Sequence, residues 1–322
     1  MVLLDGRPER LLIERQGEAP RAELGARLVG RLGPATTGRA FVDLPMGPAG
    51  VLRLGDAVLS QGASAEVEVV AEAQGGKGPR LRLVAAGEGP PRVLAPGPSL
   101  LERLRAFAPG SKVEAGPAAR EAADIAQEAA LSVSHGFRGG LTLHVEPTRA
   151  LTAVDVDLEA GDAAGGKRVR EANLSAIRHT VRLLRLKSLG GVAAIDLIGF
   201  PDPQLRGLLR AEAARALAPD GSDCVVSAPD RFGLLHFARP HRERPLADIL
   251  CDPDGRPSAR TVAQALVRDL QREWAADPGV RMQAHADPEV WAALIALLRG
   301  PGRITVHQEV ALAREAAHIR RA

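Results

Sequence analysis

The period of the apolar positions changes several times along the chain, and each change marks a different kind of element. Up to about residue 86 the pattern is short and strand-like. A first apolar stretch covers 11–14, and candidate strands follow at 25–32, 38–44, 50–54, 67–71 and 80–84. Gly33-Pro34, Gly47-Pro48 and Gly75-Gly76 punctuate them. Five short strands at this spacing predict a small barrel of the OB type over 21–86. Residues 87–99, rich in Pro and Gly, read as a linker or extended strap.

From Pro117 the period becomes helical. Pro117 suits a first helical position, and Ala122, Ile125, Ala126, Ala129 and Ala130 recur on one face. Residues 141–158 alternate instead, with Val154 and Val156 facing one way and Asp155 and Asp157 the other. A Gly-rich loop spans 161–166. A helix is predicted over 170–187, with Leu174, Ile177, Val181 and Leu184 as its apolar stripe. Arg178, Arg182 and Arg185 lie elsewhere on its surface. Residues 192–198 read as a buried strand carrying Asp196. Strand, helix and strand in this order predict a βαβ unit with parallel strands and a right-handed crossover. A helix over 203–218, strands over 223–228 and 232–239, and a basic run over 239–244 follow. After a turn at 251–257, the tract predicts helix (258–275), short strand, helix (288–299, Asp287 as N-cap) and strand (303–308).

The fold class expected is mixed α/β. A central βαβ-containing catalytic domain covers 146–250, and a scaffold subdomain is formed by 1–20 and 87–145. The OB-type barrel occupies 21–86, and a small α+β domain closes the chain over 251–322.

Composition narrows the classes. The chain has 322 residues, 45% hydrophobic and 25% charged, as a globular protein requires. Its longest apolar run, from Trp291 to Leu298, falls short of the ~18 residues that span a bilayer, so no membrane role is expected. The first residues lack the pattern of a secretory signal. Two cysteines exclude a disulfide scaffold and fit a reducing cytoplasm. A net charge of +3 permits a polyanionic partner without establishing one.

Asp155 and Asp196 are the sharpest chemical signal. Each interrupts an apolar strand, and an isolated buried carboxylate is costly, so each must be paired, hydrogen-bonded or bound to a metal. Adjacent strands lie ~4.8 Å apart, which would let the two share one ion. Oxygen ligands with open water positions suit Mg²⁺ or Mn²⁺ rather than zinc. The competing explanation is a strand-end cap or a pair with an arginine. Loop 161–166 lacks the GK[ST] of a nucleotide-binding P-loop and reads better as a loop over a site. His144, His179 and His236 have no Cys or His partners at metal-ligand spacing, and Cys224 reads as a small apolar residue.

Three blocks carry a family resemblance: EPTRALTAVDVD, ANLSAIRHTVRLLRLKSLGGVAAIDLIGF and FGLLHFARPHRERP. In this order and spacing they resemble the catalytic region of the ribonuclease E/G family. The N-terminal GRAFVDLP and GVLRL resemble that family's embedded RNA-binding barrel. The resemblance implies an endoribonuclease that cuts single-stranded RNA with Mg²⁺ and leaves a 5′ phosphate. It implies Asp155 and Asp196 as the metal-binding pair. Asp157 then stands where the family usually has a catalytic Asn. Arg149, Arg178, Arg182, Arg185, Arg239, Arg242 and Arg244 are the expected RNA contacts, with Phe41 as a base-stacking aromatic; the alternatives are a solvated helix face for Arg178, Arg182 and Arg185 and a structural pair with Glu146 or an Asp for Arg149.

Departures from the family pattern qualify this. Gly199 replaces an acid, and Val51 stands at the second aromatic position of the barrel. Cys251 in CDPD has no second cysteine, so the family's zinc link and the tetramer built on it are not expected; a homodimer is. The family's 5′-monophosphate pocket has no counterpart between Gly87 and Pro117. Two rival readings accompany the nuclease: an RNA-binding protein on the same scaffold that does not cleave, and an adaptor whose aspartates are structural.

Overall fold

The computed structural model describes residues 1–15, 17–36, 38–55, 60–159, 166–298 and 304–322. The loop expected over 161–166 lies outside them except for Gly166. The chain forms two compact units, Met1–Leu246 and Ala247–Ala322.

The first unit opens with a hairpin, β1 (Val2–Leu4) and β2 (Arg7–Arg10), where the sequence pattern predicted no strand. Five strands follow: β3 (Arg27–Thr36), β4 (Arg39–Asp43), β5 (Gly50–Arg53), β6 (Ser64–Ala71) and β7 (Arg80–Ala86). Their pairings close on themselves. β3 pairs with β4, β4 with β5, β5 in parallel with β7, β7 with β6, and β6 with β3. Strict alternation builds the inside of this ring. In β6 every second residue is buried, and Leu28, Val42, Leu52, Val67, Val69 and Leu81 fill the interior. Gly33-Pro34 does not end β3. The pairing with β4 slips there by a bulge between Leu32 and Ala35, because proline has no N–H to give the ladder. Part of the 87–99 segment forms β8 (Arg92–Ala95), which pairs with the first half of β3.

Helix α1 (Leu100–Phe107), also absent from the sequence prediction, is started by a capping box between Ser99 and Glu102. Helix α2 (Pro117–Leu131) begins at Pro117 as expected. The strands β9 (Ser134–Phe137), β10 (Leu141–Pro147) and β11 (Thr152–Leu158) come next. Then follow helix α3 (Gly166–Leu186), strand β12 (Gly191–Asp196), helix α4 (Pro203–Leu217), and strands β13 (Val225–Val226) and β14 (Leu234–Arg239). The six strands form one sheet in the order β13-β14-β12-β11-β10-β9. Only β11 and β12 are parallel, and α3 connects them, which is the expected βαβ unit.

Helices α3 and α4 contact each other and the sheet, so both lie on one face of it. Ile177 and Leu183 of α3 are fully buried, alongside Leu143, Ile195 and Leu235 of the sheet; each such side chain is worth roughly 1.5–3 kcal/mol. The opposite face is open. β12 is therefore not a strand buried on both sides: Ala193 and Ile195 are buried, while Val192 and Asp196 are exposed.

A buried ion network ties the unit together. Arg185 of α3 donates to Asp220 (Nη2–Oδ2, 2.7 Å) and to Glu9 of β2 (Nη1–Oε2, 2.7 Å). Asp220 also accepts from Arg239 at the end of β14 (2.8 Å). Nearby, Glu243 pairs with Arg10 of β2 and with Arg103 of α1 (3.3 Å). Glu72, which follows β6, accepts from the backbone N–H of Leu24 (3.3 Å) and Arg244 (3.1 Å).

The second unit begins in the short helix α5 (Leu246–Leu250), which starts at the last residue of the first unit. It contains helix α6 (Ala259–Ala276), strand β15 (Met282–Ala286), helix α7 (Pro288–Leu297), and strands β16 (Ile304–Gln308) and β17 (His318–Arg321). β15 is central, parallel to β16 and antiparallel to β17. Asp287 caps α7 as expected, accepting from Glu289 N (2.9 Å). β17, absent from the sequence prediction, brings His318 onto His285, which stacks on His307 from its other side. No helix among the described residues is long and apolar enough to cross a membrane.

Burial alone would raise the pKa of Asp220. The hydrogen bonds and charges of Arg185 and Arg239 overcome it and hold the carboxyl below its ordinary value of 3.8. An acid depressed in this way stabilises the fold above its unfolded value and loses that contribution as pH falls through the folded one. Asp220→Asn strands two buried guanidinium groups and should cost about 3–5 kcal/mol in urea unfolding at pH 7. The difference from wild type should begin to shrink below about pH 4, where the unfolded wild-type chain takes up a proton at Asp220, and should vanish once pH has fallen through the lower pKa of the folded carboxyl.

Candidate functional site

The open face of the six-stranded sheet carries the carboxylates singled out in the sequence. β11 and β12 pair with Asp155 directly beside Asp196. Neighbouring strands are ~4.8 Å apart, so the two side chains leave adjacent strands at the same level of the same face. On its other side Asp155 is opposite His144 of β10. Asp157 lies two residues further along that face, with its Oδ2 3.4 Å from His144 Nε2.

Asp155, Asp157 and Asp196 are all exposed. The expectation that Asp155 and Asp196 interrupt buried strands is therefore corrected. Their strands look apolar because the inward positions face α3, while the outward ones are open to water. The face lies toward the carboxyl ends of the parallel pair, where the connections of an α/β sheet leave room for ligands. Among the described residues no group of three or more His, Cys, Asp and Glu side chains is gathered closely enough to hold a metal ion by itself. Two in-register carboxylates open to solvent still suit Mg²⁺, which keeps several waters and takes one or two protein carboxylates.

Asn173 positions this end of β12, and the sequence reading overlooked it. Its side chain is fully buried on α3. It donates to Ile198 O (Nδ2, 3.0 Å) and accepts from Ile198 N (Oδ1, 2.9 Å). The helix thereby grips the backbone two residues after Asp196. Its signal in the sequence is an amide inside the buried face of an otherwise apolar helix.

The arginines divide differently from the expectation. Arg185 and Arg239 are buried in the ion network, so the phosphate contacts expected of them are corrected to a structural role. Arg182 is half-buried, donates to Pro8 O (2.8 Å) and lies over the Phe137 ring (5.9 Å). Arg178 pairs with Glu212 of α4 (3.2 Å), on the helix-covered side of the sheet, away from the aspartates. Arg244 pairs with Glu18 (3.2 Å) and is largely buried. Arg149 is exposed in the turn before β11. That turn precedes Thr152, which itself stands three residues or ~10 Å before Asp155, so Arg149 is not brought beside the pair.

Arg242 belongs to a different place. It lines a groove of about 880 Å³ between the ring and the edge of the sheet, together with Arg39, Arg53, Arg80, Arg82 and His241. Arg39 and Arg53 are directly opposite each other across β4 and β5, and Val51 is beside Arg80 across β5 and β7. Arg82 pairs with Glu68, and Arg242 lies 3.7 Å from Asp223. Among the described residues Arg39, Arg53 and Arg80 have no carboxylate partner. Burial and the charges of Arg53 and Arg242 lower the pKa of Arg80. Burial, followed by the charges of Arg80, Lys77 and Arg239, lowers that of His241. Such unbalanced positive charge favours a polyanion. Phe41 is half-exposed and pairs in register with Val51, which lines the groove. Of the groove's cations only Arg239 and Arg242 were expected. Arg39, Arg80 and Arg82 were legible as outward positions of alternating strands.

Asn173→Ala would leave the N–H and C=O of Ile198 without partners. It should cost about 1–3 kcal/mol in thermal unfolding and raise hydrogen exchange at residues 197–200 ahead of the rest of the sheet.

Residues 119–242 match the Ribonuclease E/G family. This segment runs from α2 through the whole six-stranded sheet and contains Asp155, Asp157 and Asp196. A chloroplastic ribonuclease E/G-like protein of Arabidopsis thaliana is 29% identical over 183 residues, covering 52% of this chain and 18% of that protein. Ribonuclease G of Escherichia coli K12 is 26% identical over 167 residues, covering 49% of this chain and 34% of that enzyme. Ribonuclease E of Haemophilus influenzae is 32% identical over 103 residues, covering 31% of this chain and 11% of that enzyme. The aligned region thus accounts for about a third of ribonuclease G and less than a fifth of the chloroplastic protein. Residues 119–242, with their sheet, helices and open face, are thus the part of this chain that is similar to the ribonuclease E/G family.

Proposed function

We propose that this protein is a metal-dependent endoribonuclease acting on single-stranded RNA. The observation that carries the reading is the register of Asp155 with Asp196 on the open face, inside the family segment. In this reading the two carboxylates hold one Mg²⁺, or Mn²⁺ in its place. When bound, the ion supplies an activated water and offsets charge on the phosphate. Asp157 orients His144 beside Asp155, so the imidazole is placed to exchange a proton with the reacting group.

The RNA strand would lie along the open face. Ala238 of β14 lines the basic groove, and Leu234, four residues or ~13 Å away, is opposite Asp196. One backbone can therefore rest on Arg39, Arg53 and Arg80 while a phosphate further along meets the carboxylates. These contacts grip phosphates and carry no sequence information.

A second reading is supported by one feature. With Asp157 tied to His144 and, among the described residues, no third carboxylate drawn to the pair, the scaffold could bind RNA without cutting it. The test is cleavage of a labelled unstructured RNA with Mg²⁺ or Mn²⁺ and with EDTA. Asp155→Asn and Asp196→Asn should each lower the cleavage rate at least ~100-fold, since several kcal/mol of transition-state stabilisation are lost. Circular dichroism should be unchanged, because both residues are exposed. Full activity in either variant sinks the nuclease, and binding without cutting in wild type selects the second reading. Replacing Arg39, Arg53 and Arg80 together by Gln should reduce the slope of log affinity against log salt by about 2, at ~0.7 per lost single-strand contact.

A further inference from the structure

Phenylalanine is scarce in this chain. There are six, with no tyrosine, yet Phe41, Phe200 and Phe232 are among the exposed large hydrophobics. Phe200 is 81% exposed and Phe232 63%. Both belong to the family segment, and neither contributes much to a core.

Their positions are linked. Phe200 follows β12 four residues after Asp196. Phe232 precedes β14 by two residues, and Leu234, the first residue of β14, is opposite Asp196. The two loops touch through the glycines beside the two aromatics. Leu197 N donates to Gly233 O (3.3 Å). A Cβ on Gly233 would stand 3.1 Å from Gly199 O, and both glycines are left-handed, with φ of +88° and +73°. A side chain at Gly233 would crowd the facing loop, whereas one at Gly199 would meet open space; at both positions the left-handed backbone favours glycine.

Each loop is also held from behind. Asn173 fixes Ile198 on the first. On the second, the Asp230 carboxylate accepts from Phe232 N (2.8 Å) and Leu234 N (3.0 Å) and lies 3.4 Å from His236 Nε2. The Arg231 guanidinium stands 4.9 Å from the Phe232 ring centre. That contact orients the ring and places a cation beside it.

From this we infer that Phe200 and Phe232 form a base-stacking platform at the end of the carboxylate pair, taking unpaired nucleobases next to the scissile phosphate, with Arg231 on the adjoining phosphate. The inference rests on the single-stranded RNA reading above. Duplex RNA keeps its bases stacked on one another and would not offer them to these rings. A platform of this kind therefore selects unpaired strands, and it tolerates any base because every base has a π-face.

The experiment uses an unstructured RNA carrying 2-aminopurine at successive positions, with EDTA present so that no cleavage intervenes. Wild type should quench the probe at one or two positions. Phe200→Leu and Phe232→Leu should each relieve quenching at one of them and weaken affinity about tenfold, whereas Phe232→Trp should retain both. An RNA with an abasic site at the quenched position should bind wild type and the Leu variants alike. RNA binding by wild type with quenching and affinity unchanged in both Leu variants overturns the platform and leaves the RNA reading standing. Failure of wild type to bind RNA at low salt overturns both. A wild-type dimer that Phe200→Leu or Phe232→Leu converts to monomer in sedimentation, with quenching unaffected, reassigns the rings to a contact between chains and overturns the platform.

Discussion

The first unit depends on a small number of buried charges that must all be satisfied together. Asp220 holds Arg185 and Arg239, and Arg185 also holds Glu9. These four residues come from the N-terminal hairpin, the crossover helix, the helical turn that follows α4, and β14. Removing any one leaves a charge in a poorly solvated interior, which is far more costly than losing a surface pair. The neighbouring set of Glu243, Arg10, Arg103 and Glu72 extends the same constraint to α1 and to the ring. The run from Arg239 to Arg244 is therefore a junction of the fold as much as a basic surface.

With that junction closed on the helix side, the sheet is free to keep its other face open. A single covered face makes the strands alternate, and the alternation decides what the aspartates can do. Asp155 and Asp196 are solvated and accessible, so they face no burial penalty and need no permanent partner. In the proposed reading, two carboxylates held in register by backbone hydrogen bonds would meet a shared cation with their spacing already set by the ladder rather than by flexible side chains. Asn173 extends this rigidity past the end of β12 by tying the following backbone to the helix.

The basic groove and the carboxylates form a polarity along the open face, with cations at one end of β14 and anions at the other. Neither feature alone distinguishes nucleic-acid chemistry from ordinary surface charge. Their arrangement along one strand is what supports the proposed reading, in which a polyanion held at the groove would be led toward the position where a cation would sit. The N-terminal ring contributes Arg39, Arg53 and Arg80 to the groove although it lies outside the family segment.

Much of the architecture was legible in local patterns. The period of 141–158 and its change at α3 are properties of short windows, so the strands, the crossover helix and the helix starts at Pro117 and Asp287 follow from neighbouring residues alone. So do the candidate aspartates, which stand out as charges in apolar strings. The hairpin β1–β2 and strand β17 have no such period and exist only because a partner strand accepts their hydrogen bonds. The same holds for which charges are buried. Arg178, Arg182 and Arg185 look alike on a helical wheel, yet only Arg185 meets Glu9 and Asp220, residues 176 and 35 positions away. Local sequence determined which residue types face together along an element. Tertiary structure decided which face was covered, which arginines were neutralised, and that Asp155 and Asp196, forty-one residues apart, stand side by side, because strand register and burial are set by contacts between distant segments.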